Sequence, residues 1–171
     1  MNFQKVEFGG LIVFEREIQI KDIVNTGIIL EADVSPQIIA NIFAPNTPLH
    51  DGAVVISNNK INAAACMLPL SSSTSIPKDL GTRHRAGVGI SEEADAIAII
   101  ISEETGKVSV AKDGVLIPDV SEQTLKDILI KNLVIKKFNT EDVNLDSFTK
   151  FFRKNKTENV EDIEDIEKME E

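Results

Sequence analysis

The sequence predicts a mixed α/β (α+β) fold, a central mixed β-sheet flanked by helices, and three observations carry that expectation. Apolar runs of strand length, Leu11–Phe14, Ala53–Ile56 and Ala96–Ile101, recur along the chain. The last is uncharged throughout, as a strand covered on both faces must be. Helix starts with capping residues, Ser35-Pro36 and Ser121-Glu122-Gln123-Thr124, are interspersed with those runs. Turn pairs that tolerate positive φ, Asn58-Asn59 and Asp113-Gly114, join neighbouring apolar segments as hairpins.

Leu11–Phe14 follows Gly9-Gly10 and reads as a buried strand, with Glu15-Arg16-Glu17 leaving it at the surface. A brief helical turn over Ile20–Asn25 stops at Thr26-Gly27, and Ile28-Ile29-Leu30 fits either a strand or an apolar loop wall. Ser35 as N-cap and Pro36 at the first helical position open a helix whose Ile38, Ile39, Ile42 and Phe43 fall at core-facing spacing; it ends before Pro45. Pro45 and Pro48 make Ala44–His50 a stiff extended connector that delivers His50-Asp51 to the end of the strand Ala53–Ile56. The hairpin at Asn58-Asn59 returns as Ile61–Leu68, and Ser71–Ser75 reads as a surface loop without chemistry of its own.

A helix is expected from about Arg83 to Glu93, although Gly87 and Gly89 each weaken it by ~1 kcal/mol relative to alanine. Such a cost implies a close approach, either by a phosphate or by a packing partner. Ala96–Ile101 reads as the central strand, and Ser102-Glu103-Glu104-Thr105-Gly106 leaves it as a turn rich in oxygen ligands, with Lys107–Val110 returning. The last clear helix runs through Leu125, Ile128, Leu129 and Leu133. Beyond it, Phe148, Phe151 and Phe152 suit a docking patch, and the acidic segment past about Lys154 is expected to be at least partly disordered, the alternative being a marginal acidic helix with Val160, Ile163 and Ile166 on one face.

At 171 residues and 42% apolar composition, the chain is the size of one domain and can bury a core without disulfides. Its single cysteine, Cys66, lies in the apolar run Ala63–Leu68 and reads as a buried, inert thiol in a reducing compartment. Met1–Lys5 has no secretory pattern and no long uncharged apolar run exists, so a cytoplasmic, soluble chain is expected. The net charge of −10 argues against nucleic acid and anionic membranes as partners, yet leaves room for a free nucleotide in a locally basic cleft.

That basic cleft has an obvious candidate. The only two histidines, His50 and His84, and two of the four arginines, Arg83 and Arg85, fall within Asn46–Ala53 and Leu80–Gly89. Gly81-Thr82-Arg83-His84-Arg85 combines planar donors, a titratable donor, backbone N–H groups and a hydroxyl, which suits a polyphosphate. His50-Asp51 supplies the opposite chemistry, a neutral imidazole and a carboxylate able to hold a cation or take a proton. Each piece has a plainer reading: surface ion pairs for the arginines, a core-edge histidine for His84, a capping group for His50, an Asp-Gly turn for Asp51, solvated turn residues for Glu103-Glu104. Loops at the ends of strands of one sheet tend to converge on one cleft, and that favours the functional reading.

With these residues in view, the chain resembles the diadenylate cyclase (DAC) domain family, which joins two ATP molecules into cyclic di-AMP with release of pyrophosphate. The resemblance covers about Leu11–Leu133 and rests on Asp51-Gly52-Ala53, on Gly81-Thr82-Arg83-His84-Arg85, and on the further blocks Leu68-Pro69-Leu70-Ser71 and Ser102-Glu103-Glu104-Thr105-Gly106. It implies a DAC-like catalytic domain over residues 1–138 and an acidic extension over 139–171. Within the family the sequence is most similar to the catalytic domain of the membrane-anchored cyclases. Transmembrane helices would then precede Phe3, and membrane contact would come only through them.

The resemblance also implies roles. Asp51 would activate the ribose 3′-hydroxyl, directly or through a metal, with Gly52, Arg83 and His84 beside it as catalytic residues. ATP would be bound by Leu30, Asp51, Gly52, Ala53, Met67, Leu68, Gly81, Thr82, Arg83, His84, Arg85, Ser102 and Glu103. Among these, Thr82, Arg83, His84 and Ser102 would take the triphosphate, the Leu68 backbone the adenine edge, and Leu30 a place near the base. His50, Asp51 and Glu104 would hold Mg²⁺ or Mn²⁺. Met67 stands where relatives often carry a tyrosine against the adenine, and a thioether–π contact of ~0.3–1.5 kcal/mol partly replaces ring stacking. The product's two equivalent linkages imply a transient, face-to-face homodimer. Two other classes compete: a non-catalytic ATP- or dinucleotide-binding module, which would not need Asp51 or Glu104, and a metal-dependent phosphohydrolase, for which two histidines and few clustered aspartates make a poor dinuclear site.

Overall fold

The computed structural model describes residues 8–134, so the expectations for residues 139–171 lie outside the described part. The elements are β1 (Gly10–Glu15), α1 (Lys21–Val24), β2 (Ile28–Asp33), α2 (Pro36–Ile42), β3 (Ala53–Ser57), β4 (Lys60–Cys66), α3 (Thr82–Glu93), β5 (Ala96–Ile101), β6 (Val108–Lys112), β7 (Val115–Ile117) and α4 (Glu122–Leu129), followed by a π-helical turn, Ile130–Val134. The strands form one seven-stranded sheet in the order β2-β4-β3-β1-β5-β6-β7. β1 and β3 pair in parallel and every other neighbouring pair is antiparallel, so the sheet is mixed, as the sequence predicts. Ile28–Leu30 is a strand, at the sheet edge. β1 rather than β5 lies at the middle, although β5 is buried along almost all its length.

The period-two alternation of β1 sorts the core into two layers. Leu11 and Val13 face one side with Val55, Ile100, α1 through Ile23 and Val24, and α3 through Ala86, Val88 and Ile90. Ile12 and Phe14 face the other with Val54, Ile99, α2 through Ile39 and Ile42, and α4 through Leu125 and Leu129. Each fully buried isoleucine or valine contributes roughly 1.5–3 kcal/mol, enough to hold a helix on each face without a staple. Cys66 is buried and its thiol is pushed up to about 11 by desolvation, which makes it inert.

Local chemistry sets the boundaries. The Ser35 hydroxyl accepts from the Ile38 N–H and the Ser121 hydroxyl from the Thr124 N–H, the two caps expected. Asn58 and Asn59 adopt φ of 49° and 60°, and Asp113 and Gly114 52° and 75°, as two-residue hairpins require. Three expectations need correction. Ala44–His50 is not extended: Asn46 turns at φ 63°, and the Thr47 hydroxyl reaches back to the Ile42 and Ala44 carbonyls, folding the segment over the end of α2. The strand expected over Ile61–Leu68 ends at Cys66. Ser71 is buried, its N–H donating to the Arg85 carbonyl (3.0 Å) and its hydroxyl to Glu92 (2.8 Å), so the serine loop is fastened to α3.

Gly87 and Gly89 are explained by packing. A Cβ on Gly87 would lie 2.8 Å from Ile100 Cδ1, and one on Gly89 only 2.2 Å from the Pro69 carbonyl oxygen. α3 therefore sits unusually close to β5 and to the Pro69–Ser71 segment.

Candidate functional site

The register brings the candidate loops to one end of the sheet. Gly10 pairs with Ile101, Ala53 with Cys66, and Ile28 with Ala64, so the head of β1, the head of β3, the tail of β4, the tail of β5 and the head of β2 share that end. Asp51-Gly52, Met67-Leu68 and Ser102–Glu104 are consequently neighbouring loops.

Asp51-Gly52 is held by a contact that sequence reasoning did not anticipate. Gly52 has φ 115°, and a Cβ there would meet Ala65 C at 2.7 Å and Cys66 O at 2.9 Å. Ala65 itself has φ 55° within β4, opposite the register shift between Ala53 and Val55. The two irregularities interlock, leaving the Asp51 side chain exposed at the head of β3. The adjacent His50 Nδ1 lies 2.5 Å from the Thr47 carbonyl oxygen. A carbonyl can only accept, so Nδ1 carries the proton and Nε2 is left as the basic nitrogen.

α3 begins at the Gly-Thr-Arg-His-Arg run, with Gly81 as an N-cap that supplies no side-chain hydrogen bond. Its first turn holds no acidic residue and instead carries Arg83, His84 and Arg85. Cations at the positive end of a helix oppose the usual preference by ~0.3–1 kcal/mol each, an arrangement that an incoming anion reverses. Arg83 Nη1 donates to Glu103 Oε2 at 2.5 Å, an ion pair worth at most ~1 kcal/mol because Glu103 is 62% exposed. The surface ion pair of the plainer reading thus exists, and Glu103 is Arg83's counterion. His84 is buried; desolvation holds its imidazole below the ordinary value, opposed by the charges of Asp79 and Glu104. Arg85 turns away to the Ser73 carbonyl (3.5 Å) and does not join Arg83.

Around these groups, the Ser102 hydroxyl accepts from the Thr105 N–H (3.3 Å) and the Gly106 N–H donates to the Ser102 carbonyl, locking the turn that presents Glu103 and Glu104. Met67 is 68% exposed, beside the loops rather than in the core. Its N–H donates to the Thr26 hydroxyl (2.9 Å), which donates to the Ile23 carbonyl (2.6 Å). Leu68 packs toward the α3 layer and Leu30 toward the α2 layer, so the two fall on opposite faces of the sheet. Among the described residues, no three histidine, cysteine, aspartate or glutamate side chains gather as a metal set, so His50, Asp51 and Glu104 do not form one within a single chain. Sequence reasoning passed over Gly9, Thr26 and Asp79; the Gly9-Gly10 pair before β1 was the one available signal.

Fold and loop cluster together define a mixed α/β domain with an anion-receptive helix N-terminus and an exposed carboxylate at the same sheet end. The family model described as DisA bacterial checkpoint controller nucleotide-binding, the DAC domain, matches residues 1–116, and the chain belongs to that family. Among relatives, it is 57% identical over 125 residues to the cyclic di-AMP synthase CdaA of Bacillus subtilis, covering 73% of this chain and 46% of that protein. It is 54% identical over 130 residues to a diadenylate cyclase of Listeria monocytogenes, covering 76% and 48%. The chain thus spans about half the length of these curated relatives. A crystal structure of a double-cysteine mutant of DacA from Staphylococcus aureus superposes with a TM-score of 0.73 at 48% identity, over 75% of this chain and 85% of that one. A structure of a hypothetical membrane spanning protein from Bacillus cereus gives 0.64 at 44% identity, over 67% and 56%. Among the described residues of this chain, no helix is long and apolar enough to cross a membrane.

Proposed function

We propose that the domain is a diadenylate cyclase, condensing two ATP molecules into cyclic di-AMP with loss of two pyrophosphates. The observation that carries this reading is the α3 N-terminus: a helix start with no acid and no side-chain cap, bearing Arg83 and His84, at the sheet end that also exposes Asp51. Relatives named cyclic di-AMP synthase and diadenylate cyclase support it.

In this reading Thr82, Arg83 and Ser102 hold the triphosphate and orient the α-phosphorus, while His84 gains its proton as the phosphate approaches. The ribose 3′-oxygen attacks the α-phosphorus in line, its proton passes toward the Asp51 carboxylate, and pyrophosphate leaves with its charge balanced by Arg83. The donors suit Mg²⁺ or Mn²⁺ shared with the substrate, since such ions take one or two carboxylates and complete their shell with further donors, phosphate and water. Asp51 and the basic Nε2 of His50 would hold it from one side and Glu104 from another, and when bound it would supply charge neutralisation. Each protomer carries one Asp51, so the two equivalent linkages call for two copies face to face, each holding one ATP.

Incubating the chain with ATP and Mg²⁺ or Mn²⁺ and separating the products by chromatography tests this. Cyclic dinucleotide and pyrophosphate are expected. Unchanged ATP, bound but not consumed, would favour a non-catalytic nucleotide-binding module, and ADP with phosphate a phosphohydrolase.

A further inference from the structure

We propose that Gly9 is a positioning residue for Arg83: its bare backbone is the seat on which the guanidinium lies, and a side chain at position 9 would displace that cation from the phosphate site. The inference rests on the reading of Arg83 as a phosphate-binding group. Gly9 is buried immediately before β1. A Cβ built there would lie 2.6 Å from Arg83 Nη1, 2.8 Å from Arg83 Cζ and 3.0 Å from Glu103 Cβ.

Conformation does not demand glycine at this position. The positive-φ glycines are Gly52, Gly106 and Gly114, so Gly9 has a backbone that any residue adopts, and only the space is reserved. The three atoms nearest to that Cβ are the working end of Arg83 and the stem of its counterion, not main-chain atoms. Three elements therefore meet on one guanidinium. α3 supplies the arginine, the turn after β5 supplies Glu103, and the head of β1, adjacent to β5 through the Gly10–Ile101 pair, supplies the seat. A planar guanidinium pressed against a peptide and pulled by a carboxylate at its edge is oriented before any ligand arrives, which preserves binding strength otherwise lost in ordering a long side chain. Glu103 is largely exposed, so a phosphate oxygen can take over its place without the guanidinium leaving Gly9.

The test is a double-mutant cycle read by calorimetric binding of an ATP analogue with a non-cleavable α–β bridge to the full chain. Gly9→Ala should weaken binding on the order of tenfold. Arg83→Ala should weaken it at least as much, and Gly9→Ala added to Arg83→Ala should change nothing further, because the alanine then has no guanidinium to displace. Full additivity of the two losses, or undiminished binding in Gly9→Ala while Arg83→Ala is impaired, overturns the role of Gly9 and leaves the reading of Arg83 intact. Undiminished binding in Arg83→Ala overturns both. Should Gly9→Ala prove poorly folded, thermal unfolding decides: the defect should largely disappear in the Gly9→Ala/Arg83→Ala chain, and a defect of the same size there refutes the proposal.

Discussion

Replacing Gly89 by alanine sets two effects of opposite sign against each other. In a helix interior the change is intrinsically favourable by about 1 kcal/mol. Against it stands a new Cβ 2.2 Å from the Pro69 carbonyl oxygen and 2.8 Å from the Ser71 nitrogen, both backbone atoms. An ordinary C···O contact needs about 3.3 Å, so α3 and the Pro69–Ser71 segment must part by roughly 1 Å. That segment is tied to the helix by the Ser71–Arg85 and Ser71–Glu92 hydrogen bonds. Overpacking costs ~1–3 kcal/mol and each stretched bond ~1 kcal/mol, so the clash outweighs the propensity gain. The net expectation is a loss of about 2–4 kcal/mol, or roughly 8–16 °C in Tm for a domain of this size. Urea unfolding followed by circular dichroism measures it, with Gly87→Ala as the comparison. There the new Cβ meets the buried Ile100 side chain, 2.8 Å from Cγ1 and Cδ1, rather than main-chain atoms; a side chain yields more readily than a backbone segment, so a smaller loss is expected. A Gly89→Ala chain as stable as the parent, or less perturbed than Gly87→Ala, would refute the reasoning.

Asp51→Asn should abolish cyclic di-AMP synthesis while leaving binding of the ATP analogue within a few-fold, because the carboxylate acts on charge developing in the reaction; appreciable turnover would exclude Asp51 as the proton acceptor. Burial holds His84 below its ordinary value of 6.5 against the pull of Asp79 and Glu104, so the unfolded chain binds the extra proton first as pH falls. Stability should therefore decline as pH drops through 6.5 toward the lower folded value and be unaffected by this residue above it, and a His84→Gln chain should lack that part of the decline in urea titrations. Triphosphate binding should take up protons near neutral pH, seen as buffer-dependent binding enthalpies; buffer-independent enthalpies would remove His84 from phosphate contact. Specific activity at saturating ATP should rise with enzyme concentration if two copies must meet, and a flat profile down to concentrations where sizing finds only monomer would exclude that requirement.

Much of the architecture was legible from the residues alone. Ala96–Ile101 reads as a strand buried on both faces, Ser35-Pro36 and Ser121 mark helix starts that the structure bears out, and the Asn58-Asn59 and Asp113-Gly114 turns lie where their tolerance of positive φ places them. These are local properties, decided by side-chain period, capping hydroxyls and backbone freedom within a few residues. The concentration of histidine and arginine near Asp51 and Gly81 was equally visible, because it is a property of composition. Tertiary structure decided what those local rules do not reach. Pro45 and Pro48 suggest an extended connector, but the Thr47 hydroxyl bonding back to α2 folds it instead. Gly87 and Gly89 fit a phosphate loop as well as a packed helix until Ile100 and the Pro69 carbonyl are seen against them. The pairing of Arg83 with Glu103 over Gly9 joins residues from three separate elements. The spacing of such a pair along the chain carries no trace of its spacing in space. Only the sheet order, with β1 between β3 and β5, brings the head of one strand, the tail of another and the start of a helix to the same end.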